Sequence, residues 1–188
     1  MQTQLKEEKQ KLFELIKEKA FFREKITLSS GKESDYYIDA RLITLTSQGA
    51  ALCAAIMLDM VKDISYDAIG GPTLGADPIV GAIGVLCHQN NQPVNTFIIR
   101  KTPKAHGKGQ QIEGPLIQAG AAVVLIDDVA TTGKAFLQAI DVLAKGHVKI
   151  KKALCIVDRE EGAKEALQKK GVELVSIFSA EEFLRKQE

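Results

Sequence analysis

Val123-Val124-Leu125-Ile126-Asp127-Asp128-Val129-Ala130-Thr131-Thr132-Gly133-Lys134-Ala135 is the most informative stretch of the chain. An apolar run ends in two adjacent carboxylates, and a turn of hydroxyls and glycine then enters helical sequence. The pattern predicts a buried strand over Ala122–Ile126 and a helix from about Gly133. In an open α/β sheet, ligands bind at the carboxyl ends of strands. Small residues at a helix start leave backbone N–H groups facing outward, and the helix dipole favours an anion there. Thr131 and Thr132 add hydroxyl donors, while Asp127 and Asp128 suit vicinal sugar hydroxyls or a divalent cation. A P-loop is excluded, since it needs glycine where Asp128 stands, and no G-x-G-x-x-G follows a strand. An N-capping Asp before an ordinary turn is the plainer reading, but paired acids followed by Thr-Thr-Gly are much less common than that.

Outward from this stretch, short apolar runs alternate with helical segments. Strands are expected at Tyr66–Ile69, Val94–Ile99, Ala153–Val157 and Val172–Phe178, with helices from about Asp77 and after Glu161. Such alternation argues for an α/β fold with a mostly parallel central sheet and helices on both faces. Strand order is not readable from pattern. Towards the N-terminus, Leu5, Leu12, Phe13, Ile16 and Ala20 predict a surface helix over about Gln4 to Ala20 with one buried stripe. Ile26 to Leu45 mixes short extended runs with a Ser-Ser-Gly turn, and Thr46 or Ser47 caps a helix running to Val61. Lys101–Gly114 reads as one long, polar, glycine-containing loop, and such loops are usually lids or binding elements.

The 188 residues suit a single domain, and a composition 45% hydrophobic and 26% charged is that of an ordinary globular protein. Lys and Arg number 25 against 24 Asp and Glu, so nothing global points to nucleic acid or an anionic membrane surface. Cys53, Cys87 and Cys155 are dispersed in apolar sequence without ligand spacing, which argues for buried reduced thiols and against zinc. The first ten residues carry charges of both signs, unlike a secretory signal, and no apolar run approaches the roughly 20 residues that span a bilayer. A cytoplasmic location is expected. His88 and His147 lack neighbours at ligand spacing and read as structural or surface residues.

The Asp-Asp-Val-Ala-Thr-Thr-Gly string resembles the ribose-phosphate signature of type I phosphoribosyltransferases, which bind phosphoribosyl pyrophosphate with magnesium. That resemblance implies that Asp127 and Asp128 face the ribose hydroxyls, with Mg²⁺ held mainly by substrate near them. It implies that Val129, Ala130, Thr131, Thr132, Gly133, Lys134 and Ala135 surround the donor, Ala130 to Lys134 cradling its 5′-phosphate. Members often have Gly-Gly or Gly-Ser-like pairs where this chain has Gly133-Lys134-Ala135.

Phe97 to Gly109 packs Arg100, Lys101, Lys104, His106 and Lys108 onto a strand end and the loop after it. A solvated basic loop is the bland reading. The Arg-Lys-x-x-Lys-x-His-Gly spacing, however, resembles the catalytic loop of the orotate phosphoribosyltransferases in particular. By that resemblance Arg100, Lys101, Lys104 and His106 act on the pyrophosphate end. Lys104 and His106 join Asp127 and Asp128 as catalytic residues, and loop 101–114 covers the neighbour's site in a homodimer. Leu28 to Asp39 resembles the family's orotate-side segment, which puts Tyr37 and Ile38 with Thr131 beside the base. The Asp158-Arg159-Glu160 run resembles the motif whose Arg pairs bidentately with the orotate carboxylate. Gly70 to Pro78 fits the pyrophosphate-binding loop, with contacts at Thr73, Leu74 and Gly75. Bacterial members often carry Tyr-Lys in place of Leu74-Gly75 and Lys in place of Ser29, so no family side-chain contact carries over there.

The resemblance implies a type I fold in which residues 1–45 and the C-terminal end form a hood, and a Mg²⁺-dependent transfer of ribose 5-phosphate to orotate. A purine phosphoribosyltransferase would share the acid-pair segment without the lid or the Tyr-Tyr segment. A regulator sensing phosphoribosyl pyrophosphate would be expected to add a DNA-binding module or a basic face.

Overall fold

A computed structural model describes residues 2–27, 33–103 and 110–185. Helix α1 (Gln2–Lys19) buries Leu12 and Ile16 completely, as its stripe predicts. Four two-residue strands follow: β1 (Phe21–Phe22), β2 (Ile26–Thr27), β3 (Glu33–Ser34) and β4 (Tyr37–Ile38). β1 pairs antiparallel with β4, and β2 with β3. After the short helix α2 (Arg41–Thr44) comes α3 (Ser47–Met60), capped by the Thr46 hydroxyl, which accepts from the Gly49 N–H at 3.1 Å.

The remainder alternates: β5 (Ala68–Pro72), α4 (Asp77–Gln89), β6 (Asn95–Ile99), β7 (Ile112–Glu113), β8 (Ala122–Ala130), α5 (Lys134–Lys145), β9 (Lys149–Asp158), α6 (Ala163–Gln168), β10 (Leu174–Ser179) and α7 (Ala180–Leu184). The six-stranded sheet runs β10-β9-β8-β5-β6-β7, parallel throughout except for β7. Central strands that are buried on both faces read as continuous apolar runs. Alternate residues of each strand serve opposite cores. Val124, Ile126, Leu154 and Ile156 pack with α1, α3, α4 and α7, whereas Val123, Leu125, Ala153 and Cys155 pack with α5 and α6.

Several expectations shift, and β9 begins four residues before the expected Ala153. β5 lies two to three residues later than Tyr66–Ile69, because Gly70, Gly71 and Pro72 belong to the strand. Glycine and proline ordinarily weaken a strand, yet a Cβ at Gly70 would run into Phe97, and one at Gly71 into Ile126. Glycine is what lets the neighbouring strands close on this one. β8 extends four residues past Ile126, through both acids, since its backbone pairing with β9 continues to Ala130 opposite Asp158. Ladder hydrogen bonds are made by the main chain and do not depend on the side chains being apolar. Finally, the polar segment 101–114 ends in β7, an antiparallel edge strand paired with β6.

The two ends of the chain meet. Phe13 stacks on Phe183 with centroids 4.6 Å apart, and the Arg23 guanidinium donates to the Leu184 carbonyl at 3.2 Å. All three cysteines are free and buried. Among the described residues no helix is long and apolar enough to cross a membrane.

Candidate active site

The carboxyl ends of β5, β6, β8 and β9 lie along one edge of the sheet, where strand polarity directs every turn towards the same side. The β8–α5 turn lines a hollow of about 450 Å³, to which Asp127, Thr131, Thr132, Gly133, Lys134 and Lys101 contribute. Gly133 adopts φ 77°, a left-handed conformation that lets the chain turn sharply into α5. A Cβ at Gly133 would come within 2.8 Å of Leu167 Cδ1 and 3.3 Å of Ala163 Cα. The turn therefore presents the first N–H groups of a twelve-residue helix to the hollow, with the Lys134 side chain exposed at its rim.

Beside it the two acids are set for different purposes. Asp127 is 7% exposed, and its Oδ1 accepts from the Asp128 N–H at 2.9 Å. Burial pushes its carboxyl well above the ordinary range, and the Asp128 and Asp77 charges push the same way. Asp128 is also raised by burial, but the Val129 N–H and Arg41 pull it back. Gly75, in the β5–α4 loop, approaches so closely that a Cβ there would collide with Oδ1 of both acids. The peptide between Thr73 and Leu74 is cis, and the Thr73 hydroxyl donates to Asp77 Oδ2 at 2.8 Å. Asp77 Oδ1 is buried without a hydrogen-bond partner among the described residues. A second hollow of about 490 Å³ lies between Thr73, Asp77, Arg100 and Lys101. Arg100 pairs with Glu113 at 3.3 Å, and Leu74 is 55% exposed.

β9 ends next door. The Arg159 N–H donates to the Ala130 carbonyl at 2.8 Å, so the two strand ends are laced together. The Arg159 side chain is 3% exposed. It gives Nε–H to Glu161 at 2.8 Å and Nη2–H to the Ser34 hydroxyl at 2.9 Å, and it lies 4.4 Å from the Tyr36 ring centroid. Asp158 Oδ1 accepts from the Glu160 N–H at 2.9 Å, and Lys164 stands 3.4 Å from its Oδ2.

The acid pair, Val129 to Ala135 and Lys101 thus come together around one hollow. Thr73, Arg100 and Lys101 border the next. Lys104 and His106 lie outside the described residues. Of the adjacent tyrosines, Tyr36 covers Arg159, while Tyr37 stacks on Phe22 and the Ile38 side chain is buried in the core. Ser34, Tyr36 and Glu161 were missed from sequence, as were Arg41 and Asp77. The nearest signal was the Ser-Asp-Tyr-Tyr spacing, which gives no indication of which ring turns inward.

The chain and its fold match known proteins. The Phosphoribosyl transferase domain family model matches residues 45–183. The orotate phosphoribosyltransferase of Aquifex aeolicus is 39% identical over 180 residues, covering 94% of this chain and 98% of that protein. The chain belongs to the orotate phosphoribosyltransferases. A solved member of that family, from Mycobacterium tuberculosis in complex with Fe(III) dicitrate, superposes with a TM-score of 0.81 at 34% identity, covering 94% and 98% of the two chains. The same enzyme in complex with 5-phospho-alpha-D-ribosyl 1-diphosphate superposes at 0.78 and 31% identity, covering 95% and 99%. The α/β fold with its mostly parallel sheet is that of these family members.

Proposed function

We propose that the chain transfers ribose 5-phosphate from phosphoribosyl pyrophosphate to orotate, giving orotidine 5′-phosphate and pyrophosphate. The observation that carries this reading is the lacing of two strand ends, one bearing an anion cradle and the other a buried guanidinium. A phosphate-binding turn beside a carboxylate-reading Arg suits a phosphosugar donor and an acidic base.

In this reading Thr131, Thr132, Gly133 and Lys134 hold the 5′-phosphate, with Val129, Ala130 and Ala135 around the donor. Asp127 and Asp128 receive the ribose hydroxyls, and Thr73, Leu74, Gly75, Arg100 and Lys101 lie along the pyrophosphate. Arg159 takes the base carboxylate, with Thr131 near the ring. The anomeric C–O bond breaks as the C–N bond to the base forms, so the chain's task is alignment and charge neutralisation. Buried, adjacent carboxylates fit a divalent ion, because ionising both in low dielectric is unfavourable without a cation. No group of three or more metal-ligating side chains converges among the described residues, so the ion would share its ligands with substrate. Mg²⁺ would supply charge neutralisation on the departing pyrophosphate. Loop 101–114, with Lys104 and His106, closes over the neighbour's site in a cytoplasmic homodimer, and residues 1–45 with the C-terminal end form the hood.

The test is loss of orotate absorbance with phosphoribosyl pyrophosphate and Mg²⁺, with adenine, hypoxanthine and uracil in parallel. Turnover of orotate alone is expected. Turnover of none, with tight donor binding, would replace the enzyme reading with a sensor. Lys104→Ala should reduce kcat far more than it raises either KM, and unchanged turnover would remove Lys104 from its role.

A further inference from the structure

Arg159 reaches the base site already engaged. Its Nε–H goes to Glu161 at 2.8 Å and one Nη2–H to Ser34 at 2.9 Å, across 125 residues of sequence. A guanidinium has five N–H donors, so two are committed before any ligand arrives. The Tyr36 ring lies beside the guanidinium, with its centroid 4.4 Å from the guanidinium carbon. Ser34 is itself saturated. Its hydroxyl donates to the Tyr36 carbonyl at 2.8 Å and accepts from the Tyr36 N–H at 3.3 Å and from Arg159. One donor and two acceptor sites are all that a hydroxyl owns, which leaves Ser34 nothing for a ligand. Glu161 is the counterion of an Arg whose side chain is 3% exposed, and removing it would leave that charge buried and free to turn.

We propose that Ser34 and Glu161 are positioning residues that fix the plane and rotation of Arg159, and thereby set the preference for a carboxylated pyrimidine over a neutral one. The inference rests on the transferase reading above. A guanidinium locked before binding loses little freedom on meeting a planar carboxylate, and such preorganisation is recovered as affinity. Tyr36 contributes through its own main chain: its N–H and C=O both clasp Ser34, so the turn that carries the ring also carries the hydroxyl.

Steady-state kinetics of the full chain test this with Ser34→Ala, Glu161→Ala and Glu161→Gln. Loss of a hydrogen bond to a charged group corresponds to roughly ten- to a hundredfold in affinity. Ser34→Ala and Glu161→Ala should each raise KM for orotate by roughly tenfold or more. KM for phosphoribosyl pyrophosphate and kcat should stay near wild type, and the ratio of the uracil inhibition constant to the orotate KM should fall. Glu161→Gln keeps an oxygen that accepts from Nε and should restore most of the orotate KM. Unchanged orotate KM in both alanine variants, or an equal rise in both substrates' KM with a lower Tm, would overturn the inference. Should Glu161→Ala fail to fold, Ser34→Ala and Glu161→Gln decide it. Wild-type chain that does not turn over orotate would sink the transferase reading instead, which keeps the two failures distinct.

Discussion

β8 and β9 are neighbouring parallel strands that both carry acids near their carboxyl ends, and each leads through a left-handed glycine into a helix, Gly133 at φ 77° and Gly162 at φ 104°. Their electrostatics are opposite. At the β9 end the protein pairs its own charges: Arg159 with Glu161, and Asp158 with the Glu160 N–H and Lys164. At the β8 end Asp127 and Asp128 lie side by side, both raised by burial, against a hollow with exposed Lys134 at its rim. One end balances its charges within the protein, and the other holds two buried carboxylates side by side. Stability and function therefore pull in different directions at the β8 end and together at the β9 end.

The largest expected effect follows from the space left over the acid pair. Gly75→Ala would push its Cβ into both carboxylates, and kcat/KM for the donor should fall by about a hundredfold, as misplaced reacting groups do. Near-normal kinetics in that variant would mean that the acid pair tolerates displacement. At the other strand end, Arg159→Lys keeps charge but loses the fork. KM for orotate should rise roughly tenfold with the donor KM unchanged, and a donor effect of equal size would erase the distinction between the ends.

The smallest effect concerns stability and has the opposite sign. Because the Asp127 carboxyl titrates above its unfolded value, its contribution to stability is fully present in acid and is lost as pH rises through the folded pKa. Asp127→Asn removes the ionisation. The variant should be inactive yet more stable at pH 7, by about 1 kcal/mol or roughly 2–4 °C in Tm. That advantage should shrink towards zero as the pH falls below the carboxylate range. A destabilised variant at pH 7, measured by thermal melting, would show that the charge is not the burden inferred here.

Much of the β8 end was legible because it is contiguous. Asp127 to Lys134 form one strand end and one turn, so a linear string already contains the turn that lines the hollow and the acids beside it. Periodicity likewise revealed α1, α3, α4 and the buried strands. Short elements were harder: β2 to β4 fall within the short extended runs expected over Ile26 to Leu45, but β1, β7 and α7 have two to five residues, too few to show a period. β5 was displaced by its glycines, whose role lies in contacts with Phe97 and Ile126.

The sequence by itself determined the α/β class, the family resemblance and the residue types that line the β8–α5 hollow, because local pattern and backbone chemistry act over neighbouring positions. Only the tertiary structure decided the strand order, the closeness of Gly75 to the acids, and the choice of Tyr36 over Tyr37 as the ring covering Arg159. Those depend on segments far apart in the chain meeting in space. Which residues of so short a segment face inward is fixed by the surface it packs against, here Arg159 after β9, which meets Ser34 and Tyr36, and not by anything within the segment.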